Sequence, residues 1–245
     1  MYTLKEILRD GITSLFLLLP LAIWQFPGWT GEDLSLSSPK ARQPARSSSP
    51  ARSQTDLPWY DKQRFFLHIQ TRLPAYRSHF QQAAQRYGLP WTLLAAQAYQ
   101  ESRWHPLATS PTGVRGLMML TKTTAADLGI TNRLDPRQSI FGGAQYFASL
   151  LAQLSKHIPE PDRIWIALAA YNVGLGHIKD AQLLARRLGK NPHSWEDLKT
   201  VLPLLARKQY YQTLPYGYAR GWEPVQYVKR IRAYRRLLEQ HFREV

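Results

Sequence analysis

No cysteine occurs in these 245 residues, which excludes disulfides, thiolate catalysis, a cysteine-based zinc site and a lipid anchor on an N-terminal cysteine. Acidic residues are also scarce: 17 Asp and Glu stand against 32 Lys and Arg, a net charge of +15. No internal repeat is present, and no segment alternates apolar and polar residues strongly enough to read as a strand. His105, His157, His177 and His193 lack metal-ligand spacing, and no carboxylate cluster suggests calcium. Gly174-x-Gly176 follows no strand, which argues against a nucleotide-binding loop. Neither a metal nor a cofactor is expected.

The excess of basic charge lies in the later part of the chain. Residues 1–58 hold six Lys or Arg against five Asp or Glu, whereas residues 59–245 hold 26 against 12. A surface of that sign attracts polyanions, either nucleic acid or an anionic cell envelope, and charge alone does not choose between them. A stripe of Lys229, Arg230, Arg232, Arg235 and Arg236 near the C-terminus is expected to be a solvated helix face.

Composition divides the chain into three. An apolar run from Ile12 to Phe26, interrupted by Pro20, is shorter than the about 20 residues of a membrane span and lacks a small-x-small cleavage site. Residues 1–29 are therefore read as an export signal retained as an N-terminal membrane anchor. Residues 30–58 are rich in Ser, Pro and Arg and nearly devoid of large apolar side chains, so they are expected to form a disordered linker. Residues 59–245 carry the helical periodicity of one folded domain, and the chain's 44% hydrophobic content is ample for its core.

Within that domain, apolar spacing and punctuation predict helices near 61–87 with a break at Pro74, and at 90–102, 122–128 and 138–157. Further helices are expected near 161–173, 175–188, 194–208 and 224–242, with a short hairpin around 109–117. The fold class is mainly α.

The stretch from Gln97 to Thr121 carries the chemistry. Leu94, Ala98 and Glu101 fall at i, i+4 and i+7, which puts a carboxylate on or beside an apolar helix face near the helix C-terminus. Desolvation and the negative end of the helix dipole both disfavour its ionisation, as a general acid requires. The spacing leaves a second reading open, in which Glu101 sits at the edge of that face and pairs with Arg103 or Arg115. The next acids after Glu101 are Asp127 and Asp135, neither within a motif. The stretch therefore offers one carboxyl and no evident second one to pair with it.

The string E-S-x-W-x-P-x-A-x-S-x-x-G-x-x-G-L-M-M-L-T, Glu101 to Thr121, resembles the catalytic motif of the lytic transglycosylases that cleave bacterial peptidoglycan. An A-A-Y-N-x-G motif at Ala169–Gly174 and a Y-V-x-x-I motif at Tyr227–Ile231 follow in that family's order, and the likeness covers roughly residues 76–242. The resemblance implies a lysozyme-like helical domain of the goose type. It also implies cleavage of the MurNAc–GlcNAc β-1,4 bond to leave 1,6-anhydro-MurNAc ends, with Glu101 as acid and then base. The substrate's N-acetyl group and its own 6-hydroxyl would stand in for the missing carboxylate, since intramolecular attack needs no activated water.

The same resemblance assigns Ser110 beside the catalytic acid, Met118 and Met119 in the cleft, Tyr171 and Asn172 facing Glu101, and Tyr227 lining the cleft. Many family members have glutamine where Met119 stands, so a polar contact is missing here. One branch of the family carries a solute-binding-like domain ahead of the catalytic one, for which the 29 linker residues leave no room. Expected partners are peptidoglycan strands and, through the N-terminus, a membrane; nucleic acid is not expected, and the location implied is a membrane-associated site in the periplasm. Two alternatives stand beside this reading: a hydrolytic goose-type lysozyme, and a non-catalytic basic module that binds cell wall or nucleic acid. Trp104, Trp165, Trp195 and Trp222 are candidates to stack on sugars, though most are expected in the core.

Overall fold

Prolines, glycines and hydroxyl side chains set the element boundaries in residues 57–243, the part of the chain described by the computed structural model. The expected anchor (1–29) and linker (30–58) lie outside the described residues, apart from Leu57 and Pro58. Helix α1 (Trp59–Thr71) and helix α2 (Arg77–Tyr87) are separated by a 3₁₀ turn, Leu73–Ala75, because Pro74 cannot continue the hydrogen-bond ladder. Gly88 ends α2 in the left-handed conformation at φ 65°. Helix α3 (Trp91–Ser102) follows Pro90, and Thr121 caps α4 (Lys122–Asp127) by accepting from the Thr124 N–H at 2.9 Å.

Helix α5 (Pro136–Gln153) begins two residues before the expected Gln138 because Asp135 accepts from the Gln138 N–H at 2.7 Å and Pro136 opens the first turn. It ends at Gln153, four residues short of the expected His157. Helices α6 (Asp162–Val173) and α7 (Leu175–Arg187) meet at Gly174, whose φ of 91° few other residues tolerate. The single helix expected over 194–208 is instead α8 (Trp195–Val201), a 3₁₀ segment Leu202–Ala206 holding Pro203, and the four-residue α9 (Lys208–Tyr211). Helix α10 (Trp222–His241) closes the described chain. In place of the expected hairpin there are two isolated antiparallel bridges, Thr109 to Arg115 and Arg115 to Leu120.

Two helices are apolar nearly all round and run through the middle. Residues Thr92–Tyr99 of α3 are all buried, as are Trp165–Tyr171 of α6. Helix α10 packs along both, α2 and α5 cover the other sides, and α7 and α8 extend the stack beyond α6. The C-terminal ends of α3 and α6 thereby come close together, beside the first turns of α10.

Behind α3 an aromatic knot joins three helices. Phe65 and Tyr99 have ring centroids 4.5 Å apart, Tyr99 and Trp104 4.7 Å, and Tyr99 and Tyr234 4.8 Å. Such pairs contribute about 0.5–1.5 kcal/mol each beyond burial. Arg230 reinforces the joint by donating to Asp61 at 3.0 Å, Gln100 at 3.0 Å and Tyr234 at 2.8 Å. The basic stripe expected to be merely solvated is therefore partly structural: Arg232 also covers the Trp165 ring, and Arg235 pairs with Glu239. No helix among the described residues is long and apolar enough to cross a membrane.

Candidate active site

Glu101 occupies the last turn of α3, and the chain reverses directly after it. Arg103 and Trp104 both take left-handed conformations, at φ 53° and 56°. Two consecutive non-glycine residues in that region are costly, by about 1–3 kcal/mol each. Full burial of Trp104 compensates, and its indole N–H donates to the Ala95 carbonyl at 2.8 Å, folding the next segment back beneath α3. This reversal carries residues 105–120 around the end of the helix that bears the carboxylate.

As a residue Glu101 keeps partial solvent contact, but its carboxyl is enclosed. Its hydrogen-bond partner is neither Arg103 nor Arg115. The Tyr227 hydroxyl, reaching across from α10, donates to Oε1 at 2.5 Å. Desolvation pushes the Glu101 pKa up to about 7, and the bond from Tyr227 opposes part of that rise. A carboxyl in this condition is about half protonated at neutral pH and can both give up a proton and take one back. Burial, then the nearby Glu101 charge, holds the phenols of Tyr171 and Tyr227 well above their usual pKa, so both remain donors. No second carboxylate figures among the groups that act on Glu101.

The Gly-Leu-Met-Met turn beside Glu101 is tied down at three points. Ser102 donates to the Leu117 carbonyl at 2.9 Å, Ser139 of α5 accepts from the Met118 N–H at 3.1 Å, and Tyr171 of α6 donates to the Met118 carbonyl at 2.8 Å. Met119 is thereby held at φ 47°, on the partly exposed side of the turn, while Met118 is fully buried. Two glycines make room for this packing. A Cβ on Gly116 would lie 1.9 Å from the Arg133 carbonyl oxygen, and one on Gly143 2.6 Å from Met118.

The structure thus brings Glu101, Met118, Met119, Tyr171 and Tyr227 together. Asn172 adjoins Tyr171, partly exposed at the end of α6. Ser110 differs: its hydroxyl bonds to Thr112 at 2.9 Å and accepts from the Val114 N–H at 3.2 Å, so its contacts here stabilise the turn. Met118 has no exposed surface to offer a ligand, and among the tryptophans Trp104, Trp165 and Trp195 are core while Trp222 is exposed.

Asp135, the nearest acid noted in the sequence besides Asp127, is occupied in capping α5. Sequence reasoning missed Ser102, Ser139 and Gly143. Adjacent glycines, Gly142 and Gly143, inside an apolar helix were the available signal, since helix interiors disfavour glycine unless something approaches closely. Among the described residues no group of three or more His, Asp or Glu is placed to hold a metal.

Comparison with known proteins bears on the family and the fold. The family described as the Transglycosylase SLT domain matches residues 78–194. Membrane-bound lytic murein transglycosylase F 1 of Alkalilimnicola ehrlichii is 58% identical over 175 residues, covering 71% of this chain and 35% of the relative. Membrane-bound lytic murein transglycosylase F of Hahella chejuensis is 56% identical over 170 residues, covering 69% and 33%. The chain thus spans about a third of the length of these relatives. Among solved structures, an inactive mutant of the lytic transglycosylase Slt from Pseudomonas aeruginosa shares the fold, with a TM-score of 0.52 at 23% identity over 75% of this chain and 29% of that one.

Proposed function

From the premise that this chain belongs to the Transglycosylase SLT family, we propose that it is a peptidoglycan lytic transglycosylase. It cuts the MurNAc–GlcNAc β-1,4 bond and leaves 1,6-anhydro-MurNAc ends. The observation that carries this reading is a single enclosed carboxyl, Glu101, with a pKa of about 7 and a tyrosine donor on one oxygen. At neutral pH that carboxyl can protonate the glycosidic oxygen as the bond to the anomeric carbon breaks. The N-acetyl group of the same sugar stabilises the developing positive charge from within the substrate. The carboxylate left behind then takes the proton of the sugar's 6-hydroxyl, whose oxygen closes the anhydro ring. Glu101 ends protonated, ready for the next bond, and no water is consumed.

In this reading Tyr227 steadies the carboxylate during the interval in which Glu101 is charged. Tyr171 acts on the turn, and by holding the Met118 carbonyl it fixes the backbone that carries Met119 to the cleft. Asn172, Met119 and Ser110 are assigned to the glycan, Ser110 through a hydroxyl that would exchange its Thr112 contact for substrate. The excess of basic charge suits the anionic cell envelope, and we place the enzyme there on the periplasmic side; membrane association is supported by relatives named membrane-bound.

A digest of purified sacculi tests the reading. Mass spectrometry should find anhydro-muropeptides released by the parent protein and none by Glu101→Gln. Products heavier by one water would instead mark a hydrolytic lysozyme.

A further inference from the structure

Gln97 is the residue at which local physical chemistry and the fold disagree. It lies one turn before Glu101 on α3, in the middle of eight consecutive buried residues, and is itself fully buried. Neither its Nε2 nor its Oε1 has a partner with hydrogen-bond geometry. A buried, unpaired amide is expensive, and a leucine or methionine would fill the same space without that cost. Such an amide in the wall of an active site calls for a reason.

Spacing and chemistry supply one. Residues four apart on a helix lie on the same stripe, so Gln97 and Glu101 share one face of α3. Tyr227 reaches that face from α10 and directs its only proton to Glu101. The Gln97 amide lies near enough to the phenol to ease release of its proton. A phenol oxygen that has given its proton to one neighbour can only accept from another. We propose that Gln97 is a positioning residue for the catalytic acid: its amide N–H donates to the Tyr227 oxygen and so directs and strengthens the bond from Tyr227 to Glu101.

This relay rests on the transglycosylase reading only in that Glu101 is the acid it serves. Its value lies in the second half of the reaction. When Glu101 has given up its proton it is a carboxylate in an enclosed site, and a phenol polarised from behind is a stronger donor to it. The other groups around Glu101 are Tyr171 of α6 and, behind it, Tyr146 of α5. Arg230 of α10, which bonds into α3, is directed to Gln100, Asp61 and Tyr234.

The test uses the full chain carrying Gln97→Met, with Gln97→Leu as a second apolar substitute. Both should unfold at about the parent's temperature or higher, because the buried Oε1, which stays unpaired even when the amide N–H donates to Tyr227, has been removed. Release of anhydro-muropeptides at neutral pH should fall by roughly five- to tenfold, the cost of one lost hydrogen bond at the reacting group. The alkaline limb of the pH–rate profile should move to higher pH, since the Glu101 carboxylate has lost support. In a Tyr227→Phe background the same substitutions should change neither rate nor limb, because the relay is already cut.

A parent-like rate and limb in both variants would overturn the proposal. So would lowered unfolding temperatures with an unmoved limb, which would make Gln97 structural, or an equal effect with and without Tyr227. Carboxyl NMR of Glu101 reads the same shift without substrate, so a parent that released no anhydro product would defeat the functional reading while leaving the relay separately measurable.

Discussion

Replacing Glu101 by glutamine should make the protein more stable above neutral pH while abolishing turnover. Desolvation raises the Glu101 pKa from an ordinary 4.5 to about 7. Its contribution to stability is therefore fully present below about pH 4.5 and is lost as pH rises through about 7. At 1.36 kcal/mol per unit, ionising it in the folded protein costs about 3 kcal/mol, or about 2 once partial solvent contact is allowed for. Glutamine keeps the acceptor oxygen for Tyr227 and never ionises, so the variant escapes this loss.

For a domain of this size about 2–4 °C accompanies each kcal/mol, so the variant's unfolding midpoint should exceed the parent's by roughly 4–8 °C near pH 8.5. Near pH 4.5 the difference should be small. Asp180 and Glu223 also have raised pKa values, but they titrate alike in both proteins and cancel in the difference. Thermal unfolding followed by circular dichroism at several pH values measures it. A midpoint difference that did not change with pH would refute the idea that Glu101 is enclosed and protonated.

Three further outcomes are expected. Tyr227→Phe removes the donor to Oε1, so the alkaline limb of the pH–rate profile should move up by about 1–2 units, the equivalent of one hydrogen bond to a charged group. A limb that stayed in place would show that the bond is not made in solution. Tyr171→Phe leaves the Met118 carbonyl without its donor, so chemical denaturation should find about 1–2 kcal/mol lost, together with reduced turnover. Gly116→Ala forces a Cβ against the Arg133 carbonyl at a φ of 85°, and should cost about 3 kcal/mol and disorder the turn before Met118, seen as a lowered unfolding midpoint.

The position of Glu101 on an apolar helix face was legible because helical spacing is a local property of the chain: Leu94 and Ala98 are buried on the same stripe as the sequence implied. Its partner was not legible. Arg103 and Arg115 are near in sequence, whereas Tyr227 is 126 residues away and reaches Glu101 only because α10 packs along α3. The start of α4 after its Thr121 cap was placed as expected, whereas α5 starts two residues early because the Asp135 cap and Pro136 were not read as its beginning. The expected 194–208 helix failed because Pro203 divides it, a break the apolar pattern on either side obscures.

Residue order alone therefore determined the helical class and the placing of Glu101 on an apolar helix face, since both depend on residue type and short-range spacing. Tertiary structure decided which hydroxyl meets that acid, how Ser102, Ser139 and Tyr171 clamp the Met118 turn, and why Gln97 lies unpaired beside them. The reason is physical: a carboxyl's proton affinity depends on how much water is excluded and which donor arrives. Both are set by helices that come together only when the chain folds.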